Sequence, residues 1–133
     1  MTEFIVRMEN RPGRLAALTE AIAAVGVNIE ALAAYALDGE SVVRLIVNDA
    51  AATRRVLAEA ALNHEEHTVL TSHLPDRPGE LARLTRQLAD SGINIEAMYV
   101  LNSTADGLEL AISVDDQETA LPHLGVRGST MMV

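Results

Sequence analysis

The sequence has no cysteine and no tryptophan, and it contains only one phenylalanine and two tyrosines. The absence of cysteine excludes disulfides, thiolate metal sites and a cysteine nucleophile. Hydrophobic residues nevertheless make up 49% of the chain, so it is globular, and its core must be built from Leu, Ile, Val and Ala.

Positive charge is also scarce, with 10 basic residues against 19 acidic ones and a net charge of -9. Such a surface repels phosphate backbones and anionic lipid, so we expect neither nucleic acid nor membrane as a partner. No stretch approaches the 18 or so apolar residues of a membrane span, and no charged-then-apolar leader opens the chain. We therefore expect a cytoplasmic protein.

The chain is an internal duplication. Residues 10 to 32 match residues 76 to 98 in register at thirteen of twenty-three positions without a gap, at an offset of 66 residues. A fixed period of this kind indicates two copies of one structural unit. We predict units at 1–67 and 68–133, each near the lower size limit for a self-sufficient core.

Each copy contains a predicted helix that starts at a Pro-Gly pair. Pro12 and Pro78 favour helix starts, giving helices at about 12–25 and 78–91. Gly13 and Gly79 come next, where a side chain would block anything approaching the free amides of the first turn. Leucines and other aliphatic residues recur three or four apart and predict one apolar stripe. The stripe contains Leu15, Leu18, Ile22 and Val25 in the first copy and Leu81, Leu84 and Leu88 in the second.

The remaining pattern predicts strand, helix, strand, strand, helix, strand in both copies. Residues 29–37 would form a strand, and Asp38-Gly39 would turn the hairpin. One face of this strand would carry Ile29, Ala31, Ala33, Tyr35 and Leu37. Asp49 would cap the second helix and Asn63 would stop it. In the second unit a turn falls near Ala105, and Gly125 ends the last helix before a short final strand or frayed tail at 126–133.

One long strand at about 66–74 would serve both units, because 69–74 aligns with 3–8 at the repeat offset. This order predicts the α+β fold class with two ferredoxin-like βαββαβ units in tandem. Each unit would be an antiparallel sheet with both helices on one face.

The motif Asn-Arg-Pro-Gly-x-Leu, a helix, then Gly-Val-Asn-Ile on this frame resembles the ACT domain, an amino-acid-sensing module attached to many biosynthetic enzymes. The first unit resembles in particular the serine-sensing ACT domain of phosphoglycerate dehydrogenase, where an Asn on each side of the helix holds the effector. The resemblance implies ligand contacts from two matching sets. They are Asn10, Arg11, Pro12, Gly13, Arg14, Leu15, Asn28 and Ile29, and then Asp76, Arg77, Pro78, Gly79, Glu80, Leu81, Asn94 and Ile95.

Elementary chemistry supports an amino-acid site at these motifs. The free amides of a helix N-terminus suit a carboxylate, and an Asn side chain both donates and accepts hydrogen bonds. Asp76 would favour the ammonium group instead. The alternative is that Asn10 and Asn28 only shape turns and that Asp76 is a cap or a surface residue.

Two functions remain open. The first is a regulatory protein that binds a small amino acid and modulates a partner enzyme of amino-acid biosynthesis, working as a homodimer. The second is a ligand-free dimerisation module that associates with an enzyme through exposed sheet edges. We expect no catalytic activity and no cofactor, because no nucleophile with its base and no phosphate loop occurs. We also expect no metal site: His64-Glu65-Glu66-His67 is typical of solvated charges at a strand start rather than of zinc ligands.

Overall fold

A computed structural model describes residues 1–124 and the strand at 130–131. Its internal contacts divide it into two compact units, which we consider separately. One comprises Thr2–His67, and the other begins at Thr68 and includes Met1.

The first unit is a four-stranded sheet with two helices. Its elements are β1 (Thr2–Glu9), α1 (Arg14–Ala24), β2 (Ile29–Leu37), β3 (Glu40–Val47), α2 (Ala50–Glu59) and β4 (Asn63–Thr68). The strand order is β2-β3-β1-β4, and β3 runs antiparallel to both β1 and β2.

The second unit repeats this arrangement. Its elements are β5 (Leu70–Leu74), α3 (Glu80–Asp90), β6 (Ile95–Thr104), β7 (Gly107–Val114), α4 (Gln117–Ala120) with a 3₁₀ turn at Leu121–His123, and β8 (Thr130–Met131). The strand order β6-β7-β5-β8 matches that of the first unit. The predicted α+β class and ferredoxin-like topology are therefore confirmed. Within the described residues no helix is long and apolar enough to span a membrane.

Each unit has its own core between the sheet and the helices. In the first unit, Phe4, Val6 and Met8 on β1 alternate toward Leu18 and Ile22 of α1. In the second unit, Leu84 and Leu88 of α3 pack on Leu70, Leu110 and Ile112. Because only alternate strand residues belong to these clusters, both helices of a unit lie on one face of its sheet.

The helices are shorter than predicted, and their apolar stripe is narrower. α1 begins at Arg14 and α3 at Glu80, each two residues after its proline, because Gly13 and Gly79 occupy the cap position. Leu15, Val25 and Leu81 are exposed by 36%, 53% and 45%, since the first and last turns extend past the sheet-facing part of the helix. Pro12 and Pro78 thus lie in the preceding turn and not in the helix.

The predicted face of β2 is wrong because of a β-bulge. The register with β3 shifts between Ile29 and Ala31, so Ile29 packs on the core while Ala31 and Tyr35 fall on the opposite face, across from Ile46 and Val42. An extra residue at a bulge reverses the alternation of every residue beyond it.

Three further expectations concern where strands and helices begin and end. The predicted shared strand is divided at Val69, with Asn63–Thr68 in the first sheet and Leu70–Leu74 in the second. Helix α2 ends before Asn63, because Ala61 adopts a left-handed φ of 53° and turns the chain into β4. The helix stop at Gly125 and most of the predicted final strand lie outside the described residues, but Thr130–Met131 pairs with β5.

Candidate functional site

The starts of α1 and α3 have the same backbone geometry. Gly13 and Gly79 have φ angles of 87° and 88°, in the left-handed region that residues with a Cβ adopt only at a cost. A Cβ built at either position meets no atom within 4 Å. The backbone angle alone therefore explains the two glycines.

Neither of these helix starts is capped by a side chain among the described residues. By contrast, α2 is capped by Asp49, whose Oδ1 accepts the N–H of Ala52 at 3.0 Å, and α4 by Asp116, whose Oδ1 accepts the N–H of Thr119 at 3.1 Å. The N–H of Arg14 donates to the carbonyl oxygen of Arg11 at 3.3 Å, and that of Glu80 to Arg77 at 3.3 Å. The other N–H groups of each first turn have no side-chain cap and suit an external acceptor, and the positive end of the helix dipole favours an anionic one.

The first helix start carries two arginines and one carboxylate. Glu9, the last residue of β1, pairs with Arg11 at 2.8 Å and with Arg14 at 2.9 Å, and all three side chains are about half exposed. No acidic residue occupies the first turn of α1. A single carboxylate thus balances two guanidinium groups beside free amides.

The second helix start already holds an anion. Glu80, in the first turn of α3, pairs with Arg83 at 2.6 Å and with Arg77 at 3.0 Å. The hydrogen bond from Arg83 lowers the pKa of Glu80 the most, and the hydrogen bond from Arg77 lowers it further. Burial raises this pKa, but by less. The two copies therefore share a backbone but differ in charge, with Glu80 where the first copy has Arg14.

Replacing Glu80 by glutamine tests this local charge arrangement. A lowered pKa in the folded state means that Glu80 contributes stability above its ordinary pKa and that this contribution is lost as the pH falls through the folded-state pKa. We expect the wild type to lose more urea resistance than Glu80→Gln between neutral pH and about pH 3. Glu20→Gln, at an exposed site on α1, is the control and should lose as much urea resistance as the wild type over this pH range. Equal losses in all three proteins would contradict the assignment.

The asparagines after the helices are held by their backbones. The N–H of Asn28 donates to Oδ1 of Asn48 at 2.9 Å and its carbonyl accepts the N–H of Asn48 at 3.2 Å. Asn94 makes the same two bonds with Asp115. The side chains of Asn28 and Asn94 remain exposed.

Sequence reasoning missed Asn48 and Asp115, because they recur at an offset of 67 rather than 66. The extra residue lies in β6, where the register with β7 shifts between Val100 and Asn102. Allowing one insertion in the repeat would have revealed the pair Asn48-Asp49 and its counterpart Asp115-Asp116.

The structure does not bring Asn10 and Asn28 of one unit together. Asn10 follows Glu9, which pairs with Glu40 at the beginning of β3, whereas Asn28 bonds Asn48 just past the end of that strand. The eight residues of β3 span roughly 23 Å between these points. A single amino acid therefore cannot contact both of these carboxamides in one unit.

A groove of about 600 Å³ lies at the Asn10 end of the first unit. It runs between α1 and the end of α2, and its lining includes Asn10, Arg11 and Arg14. Pro12, Gly13, Leu15, Asn28 and Ile29 are not among its lining residues. Of these, Ile29 packs against the core and the others are exposed.

The predicted residues of the second copy are mostly at the surface. Asp76, Arg77, Pro78, Gly79, Leu81 and Asn94 are exposed, while Glu80 and Ile95 are half-buried. Gly79 borders a shallow depression along α3 together with Arg83 and Arg86. In the part of the chain that the structure describes, this copy therefore presents a flatter surface than the first.

The His64-Glu65-Glu66-His67 run is engaged in local pairs along β4. Glu66 accepts two hydrogen bonds from Arg54, at 2.6 and 2.7 Å, and Glu65 lies 3.1 Å from His67. His64 Nδ1 lies 3.1 Å from the carbonyl oxygen of Leu62. No group of three potential metal ligands occurs within residues 1–124 and 130–131.

Family models agree with the duplicated fold. The ACT domain model matches residues 2–61 and again residues 67–122, so this chain belongs to the ACT domain family and contains two copies of the domain. No protein with a curated description matches it.

Known structures reproduce the tandem arrangement. Protein BT0572 from Bacteroides thetaiotaomicron superposes with a TM-score of 0.85 at 23% identity, over 98% of this chain and 90% of that one. The ligand-free regulatory subunit of aspartate kinase from Thermus thermophilus gives 0.63 at 18% identity, over 92% and 88%. An aspartate kinase from Clostridium acetobutylicum, described as an allosteric enzyme, gives 0.63 at 13% identity over 92% of this chain and 31% of its own. At these identities the likeness establishes the fold.

Proposed function

We propose that this protein binds a free amino acid at the start of α1 and thereby regulates a partner enzyme of amino-acid metabolism. The observation that carries the proposal is the uncapped start of α1, which opens beside a groove lined by Asn10, Arg11 and Arg14. Free amides and arginines suit the carboxylate of an amino acid, and Glu9 suits its ammonium group.

The family and its structural neighbours support a regulatory role. Two ACT domains make up most of the chain, and one neighbour is named as a regulatory subunit of aspartate kinase. A ligand that binds one conformation better than another shifts the population toward it, and a bound enzyme can respond to that shift. Regulation in this form needs no catalytic group on the sensor.

We further propose that a homodimer completes the site. Asn10 and Asn28 lie at opposite ends of the first unit, so a ligand held by both carboxamides needs Asn28 from a second copy. An apolar edge supports association, because β2 is an outer strand and exposes Leu32, Tyr35 and Leu37 by 42%, 43% and 50%.

A thermal-shift panel of the common amino acids tests the function. A ligand at about 100 times its Kd stabilises the folded state by roughly 2.7 kcal/mol, which should raise Tm by about 5 to 10 °C. We expect Asn10→Ala and Asn28→Ala each to lose most of the shift, because each removes a contact to the ligand. Both variants should remain folded, since the hydrogen bonds of Asn28 to Asn48 use its backbone.

Mixing the two variants provides the sharper result. A mixed dimer contains one site with both carboxamides and one with neither, and random pairing in an equimolar mixture makes half of the dimers mixed. About a quarter of the wild-type binding capacity should therefore return. Asn102→Ala, at an exposed position on β6, is the matched control and should respond like the wild type. If the mixture recovers no binding, or if either single variant alone binds like the wild type, the shared site is wrong.

The same apolar edge favours a second function, a ligand-free module that dimerises or docks on an enzyme. Leu32, Tyr35 and Leu37 offer an outer strand with apolar side chains, which is the surface required for edge-to-edge pairing. A chain that dimerises in solution but shows no shift with any amino acid would have this second function.

A further inference from the structure

The groove of the first unit has an apolar floor. Met8, Leu18 and Val56 line it and are exposed by only 6%, 4% and 6%. They come from β1, α1 and α2, so the floor is the top of the hydrophobic core. Its volume of about 600 Å³ falls within the range of roughly 300 to 1,000 Å³ that is usual for small-molecule sites.

Alanines on the two facing helices keep this space open. Ala17 and Ala21 line the groove from α1, and Ala60 and Ala61 line it from the end of α2. Larger side chains at these four positions would close the gap between the helices. Leu62 continues the apolar lining beyond α2.

The mouth of the groove carries groups of both charges. Arg14 lies in the first turn of α1, and Glu9 bridges Arg14 and Arg11 at 2.9 and 2.8 Å. Glu40 also borders the groove. This set complements a zwitterion, because a carboxylate can replace Glu9 on the arginines while an ammonium pairs with the released glutamate.

The second copy of the repeat lacks this combination. At the positions equivalent to Glu9, Arg14 and Ala17 it has Pro75, Glu80 and Arg83, respectively. Glu80 and Arg83 pair with each other at 2.6 Å, which places an ion pair where the first copy has two arginines sharing one carboxylate and an alanine wall.

From these observations we infer that the groove of the first unit is selective for an α-amino acid with an aliphatic side chain, and that each chain binds one such molecule. The charged groups at the mouth hold the ligand's carboxylate and ammonium, and its side chain lies on Met8, Leu18 and Val56. The inference rests on the proposed function and specifies the class of amino acid and the subsite that selects it.

Calorimetric titration of glycine, alanine, valine and leucine into the intact protein tests the selectivity. Burial of each further side-chain carbon should tighten binding about fourfold, so leucine should bind on the order of 50-fold more tightly than alanine. The stoichiometry should be one leucine per chain. The Met8 methyl resonance, followed by NMR, should shift on addition of leucine, because that side chain lies in the floor.

Ala17→Leu fills the groove and should weaken leucine binding at least tenfold. Ala23→Leu is the matched control: it makes the same change at an exposed position of the same helix outside the groove, and it should bind like the wild type. Equal affinity of Ala17→Leu and Ala23→Leu for leucine would overturn the inference. Tight binding of serine or aspartate without any preference for leucine would also overturn it and leave the proposed function standing. If no amino acid binds, both are wrong.

Discussion

Replacing Arg44 by methionine is expected to lower the free energy of unfolding by about 3 to 5 kcal/mol, because it breaks a buried ion pair. Arg44 Nη1 lies 2.9 Å from Oε1 of Glu3, whose side chain is fully buried, while the side chain of Arg44 is 17% exposed. The two residues are diagonal neighbours on β1 and β3, on the face of the sheet opposite the helices. Removing the guanidinium leaves the carboxylate of Glu3 in a site that water does not reach.

Urea unfolding at neutral pH measures this loss, and two further variants show its origin. Arg54→Met removes the partner of Glu66 at the surface, where the side chains are 50% and 32% exposed, and should cost no more than about 1 kcal/mol. The double variant Glu3→Gln with Arg44→Met should recover part of the lost stability, since no charge remains buried. A loss for Arg44→Met as small as that for Arg54→Met would show that the buried pair is not a major source of stability.

The internal repeat made the topology predictable. A predicted strand followed by Arg-Pro-Gly, a helix and Gly-x-Asn-Ile occurs twice, and the structure has strand, helix and strand at both places. The core helix residues Leu18, Ile22, Leu84 and Leu88 also followed from their spacing, because all four must face the sheet for a unit of this size to bury a core.

Features that depend on contacts between distant residues were not predictable. The face of β2 depends on the bulge after Ile29, and the position of Asn28 depends on hydrogen bonds with Asn48, twenty residues away. Arg44 is a further example: it interrupts the apolar run of β3, but only the pairing of β1 with β3 shows that Glu3 is its partner.

The candidate site illustrates the same limit. Gly13 and Gly79, both visible in the sequence, stand at the cap positions of α1 and α3, so neither helix start has a side-chain cap. The groove beside α1 was missed because its far wall comes from Ala60 and Ala61, fifty residues after Asn10. Periodicity identifies what one element offers, whereas a cavity requires knowledge of what packs beside it.

The second large effect is expected for Gly107→Ala in the hairpin of the second unit, which should destabilise the protein by about 2 to 4 kcal/mol. Gly107 begins β7 with a φ of 131°, which L residues rarely adopt. A Cβ at this position would overlap the carbonyl oxygen of Leu74 and lie 3.2 Å from Nε2 of His73. Unlike a flexible side chain, the backbone of β5 cannot move aside without disturbing its pairing with β7.

The hairpin of the first unit provides the control. Gly39 also has a positive φ, at 81°, but a Cβ there meets no atom within 4 Å, so Gly39→Ala should cost only the conformational strain of about 1 to 2 kcal/mol. Thermal and urea unfolding of the two variants separates steric overlap from backbone strain. Gly39 lies inside its turn and Gly107 just after the equivalent turn, so the difference between the variants reports the overlap with Leu74 together with the larger φ of Gly107. Equal losses would mean that β5 and β7 relax apart at no cost, and the overlap would then contribute nothing.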